Sequence, residues 1–323
     1  MNVTATRDRI GYFGKIPSRS DFIKLAPDAG FMAVLDDWLA EVMSRLPEDP
    51  RWKIHYDAMA PVSFAFVGQR RRHAVAGHIV ASRDQSGRRY PFLMMRTLAL
   101  ADPAAFVSHC PLALAPLHAF FSTTGPKLQG TEDQAAVLQE VADTTLALEE
   151  NCRGALDTFL ATGTIGSLAG LLGRSDVRRL VLGLGLLLQP VMHSGGADIE
   201  KSLVLPLPKE YAARAAVAAF WMELIAPFLR QANLDLVLFT TRLHGRSVLV
   251  VGFLDACVAC LHAIIDPIIG REQQVTFADT GWVEEQVAAD AGVRALSSYL
   301  DQPKLPLSVV RERFLDTFIG AAK

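Results

Sequence analysis

Between Val62 and Leu98 the chain carries three extended segments, Val62–Val67, Ala74–Ala81 and Phe92–Leu98, rich in β-branched and aromatic residues. Two polar turns separate them, Gly68–His73 and Ser82–Arg89, each holding glycine and arginines. Runs of this length at this spacing predict an antiparallel meander, and a meander this apolar needs helices to cover it. The cover is written on both sides of it. Phe31, Leu35, Trp38, Leu39, Val42 and Leu46 recur at helical spacing before the strands, and Pro47 stops the run. From Asp102 to about Met192 the pattern turns helical, with breaks at Gly130–Asp133 and Thr162–Gly166.

A second α/β segment follows. Leu203–Leu207 reads as a short strand, and Tyr211, Ala215, Phe220, Leu224 and Phe228 mark a helix with an expected kink at Pro227. Asp235–Thr241 and Ser247–Phe253 predict a hairpin through Leu243–Arg246, Cys257–Ile265 a helix, and the residues from Arg271 a polar helical tail. The expected fold is α/β: a mixed, largely antiparallel sheet flanked by helices as a layered sandwich, with a helical middle segment and a helical C-terminal tail. Two lobes are expected, 1–140 and 141–323, packed as one unit.

Charge and hydropathy narrow the function. With 32 Lys+Arg against 34 Asp+Glu among 323 residues, no global field exists to hold a nucleic acid. Mean hydropathy is +0.24, yet the most apolar run, Leu180–Leu188, is far shorter than the about 20 residues of a membrane span; core is expected, not membrane insertion. The polar start, Met1–Arg9, and four scattered cysteines (Cys110, Cys152, Cys257, Cys260) point to a cytoplasmic protein without a secretory leader or disulfide framework.

No familiar catalytic or cofactor pattern stands out. Gly183-Leu-Gly185 lacks the third glycine of a nucleotide loop and reads as packing. Cys257-Val-Ala-Cys260 has the spacing of a zinc or redox pair but no second pair beside it, and it sits in an apolar helix. His109 and His118, nine apart, fall on opposite faces of a helix; His73 and His78, five apart, on opposite faces of a strand. His193-Ser194-Gly195-Gly196 reads as a loop between helices rather than a nucleophile turn. Arg70-Arg71-Arg72-His73 and Arg83, Arg88, Arg89 occupy successive turns of the meander, hence opposite ends of the sheet. They are read as solvated turn charges or as docking points for an acidic partner. No catalytic residue, metal ligand or cofactor is expected.

Two motifs resist so plain a reading. In Gly11-Tyr-Phe-Gly-Lys15-Ile-Pro17-Ser-Arg-Ser-Asp21-Phe22, Gly14 and Pro17 set a turn that Tyr12, Phe13 and Phe22 pin to the core. In Ser82-Arg-Asp84-Gln-Ser-Gly87-Arg88-Arg-Tyr90-Pro91-Phe92, Asp84 accepts backbone N–H groups, Gly87 takes positive φ, and Arg88 pairs with Asp84 or Asp21.

These motifs resemble the TagF (also called ImpM) proteins associated with bacterial type VI secretion. Gly11, Phe13, Gly14, Lys15, Pro17, Asp21 and Phe22 fall on the opening signature of that family. Asp36-Asp37-Trp38-Leu39 fall on its first helix, Trp52, Tyr56, Ala60 and Pro61 on its next block, and Ser82, Asp84, Gly87, Arg88, Tyr90 and Pro91 on its closing one. Ser20 stands where the family has glycine, and Ser63-Phe64 where many members have Trp-Arg. The resemblance implies a cytoplasmic regulatory accessory protein, not a catalyst. It implies a post-translational repressor that binds a secretion component such as the forkhead-associated scaffold protein Fha, in the threonine-phosphorylation pathway. The alternative from the residues themselves is a hydrolase or small-ligand protein in which Lys15, Asp21, Asp84 and Arg88 converge on a charged site.

Overall fold

In the computed structural model, which describes residues 9–194, 201–229 and 234–320, nine strands of these residues form one sheet. The chain enters through β1 (Gly11–Gly14) and β2 (Ile23–Leu25), then helix α1 (Ala29–Arg45) and the short α2 (Trp52–Asp57). It continues with the meander β3 (Val62–Gly68), β4 (His73–Val80) and β5 (Phe92–Ala99). Six helices follow: α3 (Pro103–Ala113), α4 (Ala115–Gly130), α5 (Gln134–Asp143), α6 (Arg153–Thr162), α7 (Ile165–Leu172) and α8 (Val177–Ser194). Strand β6 (Ser202–Pro206), helix α9 (Tyr211–Leu229) and the hairpin β7 (Asp235–Leu243) and β8 (Arg246–Phe253) come next. The chain closes through α10 (Cys257–Ile265), α11 (Pro267–Gln273), β9 (Gln274–Thr276), α12 (Trp282–Ala289), α13 (Ala291–Leu300) and α14 (Leu307–Phe318).

The strand order is β2-β1-β5-β4-β3-β7-β8-β6-β9. Neighbours pair antiparallel except β6 and β9, which run parallel with Ser202 opposite Gln274. The sheet is the mixed, largely antiparallel one expected of the sequence. Its two stretches of strand meet at β3 and β7, where Phe64 lies opposite Phe239 and Ala65 opposite Leu238. The hairpin turn is His244-Gly245, both at positive φ (49° and 77°), the geometry whose twist matches a two-residue hairpin.

Both faces of the sheet are buried, so its strands are apolar nearly throughout rather than alternating. On one face Val75, Ile79, Val237, Phe239 and Val250 pack with Leu35, Trp38 and Leu39 of α1 and Leu261 and Ile265 of α10. On the other, Ala74, Ala76, Met94, Leu236 and Leu249 pack under α3, α4 and α9, with α8 and α14 beyond. Helix α1 begins where Asp28 accepts hydrogen bonds from the backbone N–H groups of Gly30 and Phe31. It ends where Pro47 turns the chain into a 3-10 turn, Leu46–Glu48.

Four expectations change. The segment from Arg271 is not merely a polar tail: it contributes the edge strand β9 and buries Val283, Val293, Leu296, Val310, Phe314 and Phe318. Short amphipathic helices carry too few apolar positions each for the sum to be visible. His109 and His118 do not share a helix; the chain breaks at Leu114, so one lies in α3 and the other in α4. Leu180–Leu188 lies largely buried within α8, but among the described residues the single helix long and apolar enough to span a membrane is Tyr211–Leu229, two-thirds (67%) of whose most apolar window is buried in the fold. The bent pair of α3 and α4 passes the same test jointly. His193 and Ser194, read as the start of a loop, are instead the last two residues of α8. Met1–Asp8 and Gly195–Gly196 lie outside the described residues.

Gly183 and Gly185 are packing glycines. A Cβ at Gly185 would meet the Phe318 ring at 2.2 Å, and one at Gly183 the Phe277 ring at 3.3 Å. Helix α8 therefore lies close to its aromatic neighbours only because these positions lack side chains. Similarly, the buried Glu223 carboxylate of α9 holds α6 through Arg153 (2.9 Å) and α14 through Arg311 (2.6 Å). Gly185→Ala is expected to cost about 1–3 kcal/mol by overpacking, read as a lower urea midpoint with unchanged m-value.

Two buried imidazoles set an acid limit. Ser63 Oγ lies 2.9 Å from His78 Nδ1 across the β3–β4 pair, and His118 Nε2 donates to the Phe64 carbonyl at 3.3 Å. Burial, and then the neighbouring His118, push His78 down to about 3; burial pushes His118 down to about 4. An unfolded imidazole titrates near 6.5, so between these values the unfolded chain binds more protons and stability rises with pH. Lowering the pH below about 6.5 should cost up to about 1.4 kcal/mol per unit for His78, with His118 adding in the same direction down to about pH 4. Urea unfolding from pH 8 to 5 tests this: wild type should weaken in that window, and a His78→Gln/His118→Gln double variant should lose most of that slope.

Candidate functional site

The two signature motifs meet at one end of the sheet. Strand β1 pairs on one side with β2, placing Phe13 opposite Lys24, and on the other with β5, placing Gly14 opposite Phe92. Gly14 has φ of +131°, and a Cβ there would lie 2.0 Å from the Pro91 carbonyl oxygen. No other residue lets the first motif cross the second so closely.

Asp84 is where they join. Its Oδ1 accepts the backbone N–H groups of Ser86 and Arg88, both at 2.9 Å. Its Oδ2 accepts Lys15 Nζ at 2.9 Å and Arg88 Nε at 2.7 Å. Gly87 closes the loop at φ +79°, donating to the Asp84 carbonyl. Burial alone would raise the Asp84 carboxyl; the hydrogen bonds from Lys15, the Arg88 backbone and the Arg88 side chain outweigh it and hold the group well below the usual carboxylate range. Arg88 Nη2 then donates to the Ser20 carbonyl at 2.7 Å, and Gln85 N to the Arg19 carbonyl at 2.9 Å, tying loop to loop.

Aromatic residues complete the cluster. Phe22 stacks on Phe13 (5.3 Å between centroids, 4° between planes) and meets Tyr90 edge-on at 4.8 Å, while the Lys15 ammonium lies 5.1 Å from the Phe22 centroid. Tyr90 reaches Asp36 of α1 at 3.3 Å. Tyr56, fully buried, has its hydroxyl 3.0 Å from both the Ser82 carbonyl, to which it donates, and the Ser82 N–H, from which it accepts. Burial raises its pKa, keeping the hydroxyl protonated. Trp52 packs edge-on to Tyr56 at 6.3 Å, the Pro61 carbonyl accepts from Thr241, and Trp38 packs among Phe64, Phe66 and Phe239. Pro17 and Gly11 hold the first loop: the Arg19 N–H turns back to Ile16, and a Cβ at Gly11 would press the Leu25 carbonyl at 2.9 Å.

Of the four charged residues expected to converge, Lys15, Asp84 and Arg88 do so. Asp21 does not: Arg88 takes Asp84, and Asp21 stays on the surface. Ser20 has no positive φ, so its replacement of glycine asks nothing unusual of the backbone. The two arginine clusters stand apart as expected, with Arg71 paired to Asp235 and Arg89 to Asp57 through two bonds. Cys260 is buried, its thiol pushed up to about 12 by that burial, and among the described residues no group of three metal-ligating side chains forms.

The sequence reading missed Gln134. From the start of α5, nearly buried, its side-chain oxygen accepts from the Ser18 hydroxyl and backbone N–H, while its amide donates to Leu128 at 2.7 Å. A polar residue following the helix cap Asp133 carries no mark of a contact more than a hundred positions away. Between this helix and the first loop runs a groove of about 950 Å³, bordered by Arg19, Asp21, Phe22, Gln85 and Gln139. Phe22 is 47% exposed on its rim. The cluster thus spends its charges on one another and shows a mixed aromatic and polar surface outward.

Asp84→Ala removes four hydrogen bonds and leaves the Lys15 ammonium buried without its partner. A fall of several degrees in melting temperature is expected. Arg88→Ala, whose side chain is largely exposed, should shift it by a degree or two at most. Equal melting temperatures for Asp84→Ala and wild type would show that the carboxylate does not organise the loops.

No curated protein matches this chain. The chain is similar to a solved protein, PA0076 from Pseudomonas aeruginosa PAO1 (crystal structure at 2.05 Å resolution), at 22% identity and a TM-score of 0.38. That alignment covers 43% of this chain and 64% of the other, less than two thirds of its length. Residues 11–148, which contain both motifs and Gln134, match the family described as TagF N-terminal domain, type VI secretion system-associated. That segment, under half of the chain, is where the likeness to the N-terminal domain of the type VI secretion system-associated TagF proteins lies.

Proposed function

We propose that this protein is a cytoplasmic regulatory accessory protein of the type VI secretion system, a post-translational repressor that acts by binding a secretion component such as the Fha scaffold protein. The observation that carries this reading is the signature cluster within the matched domain. Its buried carboxylate is saturated by Lys15, Arg88 and two backbone N–H groups, while Phe22, Arg19 and Asp21 remain on the surface beside an open groove. A cluster so arranged holds a recognition surface in one shape, which lowers the ordering cost of binding. It supports a binding role over the hydrolase reading. A general acid, base or nucleophile needs a group free to reach a substrate, whereas here the Lys15 ammonium points into its own ion pair.

Capture of the cognate Fha protein on the immobilised chain tests the proposal, together with a secretion assay in a deletion strain. Wild type should retain Fha, and deletion should release secretion under repressing conditions. Arg19→Glu, an exposed change on the groove, should reduce capture by roughly tenfold or more if it forms part of a central contact, with little change in melting temperature. Absence of Fha capture by wild type, with secretion unchanged on deletion, would refute the reading.

A further inference from the structure

On the α1 and α10 side of the sheet, towards its β8–β6–β9 edge, a cleft of about 680 Å³ opens between the β7–β8 turn, the end of α2 and the segment α11–β9. This size is typical of small-ligand sites. Its floor is apolar: Val248, Ile264 and Ile265 line it. Its border is basic. Arg174, Arg242, Arg246 and Arg271 contribute, with His55 and His244, and no aspartate or glutamate does. In a chain with a net charge of −2, that is a marked local excess.

The arginines differ in what they have left to give. Arg174 is committed to Asp176 and the Phe277 carbonyl. Arg271 uses Nε on the Pro267 carbonyl (3.3 Å) and keeps its terminal nitrogens. Arg246 makes no ion pair or side-chain hydrogen bond among the described residues. The register places it opposite Leu243 at the hairpin end, on the face that Val248 also shares by strand alternation. A second, independent observation comes from the wall: the Gln274 side-chain nitrogen is buried there without an acceptor, a state that ordinarily costs stability. Guanidinium forks above an apolar floor, with an amide donor lacking its acceptor, match a multi-oxygen anion carried on an apolar body.

We propose that this cleft binds a small phosphate monoester with an apolar substituent, its phosphate held by Arg246, Arg271 and the Gln274 amide and its body resting on Val248, Ile264 and Ile265. The cleft shares Ala60 with the family motifs but none of Lys15, Asp84, Arg88 or Phe22, and it does not depend on the binding role proposed for that cluster. Residues from both sides of position 148 build it: His55 and Met59 come from within the matched domain, Arg246 and Arg271 from beyond it.

Isothermal titration of the full chain with hexyl phosphate, inorganic phosphate, hexanoate and hexanol tests the assignment. Hexyl phosphate should bind at one site and more tightly than the other three probes. Arg246→Ala and Arg271→Ala, both exposed positions, should each weaken it by about tenfold, the loss of one charge-assisted contact. Arg214→Ala, at the separate apolar cavity of about 320 Å³ under α9, should leave it unchanged. The proposal is overturned if hexyl phosphate gives no binding at millimolar concentration or if hexanoate binds as tightly. A response to Arg214→Ala rather than to the cleft arginines would overturn it equally.

Discussion

The antiparallel pairing of β3 with β7 is the contact on which the rest of the molecule depends. Ser63–Gly68 lie opposite Asp235–Thr240, residues separated by more than 160 positions, and without that ladder the meander and the later hairpin would each expose an unpaired edge. Joined, they make one sheet apolar on both faces, and a sheet of that kind must be covered twice. Helices α1 and α10 supply one layer; α3, α4 and α9 supply the other, with α8 and α14 packed outside. The close approach of α8 to Phe318 and the buried Glu223 with its two arginines are consequences of stacking helices two deep over one face.

At the other end of the sheet the same logic works at smaller scale through Asp84. A buried carboxylate is tolerated only when its oxygens are filled, and here two backbone donors, one ammonium and one guanidinium fill them. Because those donors come from both signature motifs, satisfying one charge fixes the relative position of two loops. The aromatic group Phe13, Phe22 and Tyr90 settles on top. The exposed face of the cluster is thus a by-product of a structural necessity, with the charged residues turned inward and the aromatic edge turned out.

Much of this was legible beforehand because local chemistry announced it. Segments such as Val62–Val67 admit only an extended conformation half or wholly buried, the pair His244-Gly245 suits a two-residue turn, and Pro47 cannot continue α1. Within the site, Asp84, Gly87 and Arg88 are close enough in sequence for their turn to be read directly. What escaped reading has a common cause. Gln134 and Thr241 act through contacts with distant segments, and nothing in their immediate neighbours distinguishes them from solvated polar residues. β9, three residues long, is shorter than any pattern can resolve.

The sequence by itself determined the strands, the principal helices, the turn chemistry and the family signature, since each rests on interactions among residues a few positions apart. The tertiary structure alone decided which carboxylate Arg88 takes, that Asp21 is left on the surface, and that Arg246, Arg271 and Gln274 gather at one cleft. Periodicity carries no information about partners beyond its own window. Those pairings follow from the register of β3 on β7 and the packing it imposes, and a charge finds its counterpart only once the backbone has brought the two together.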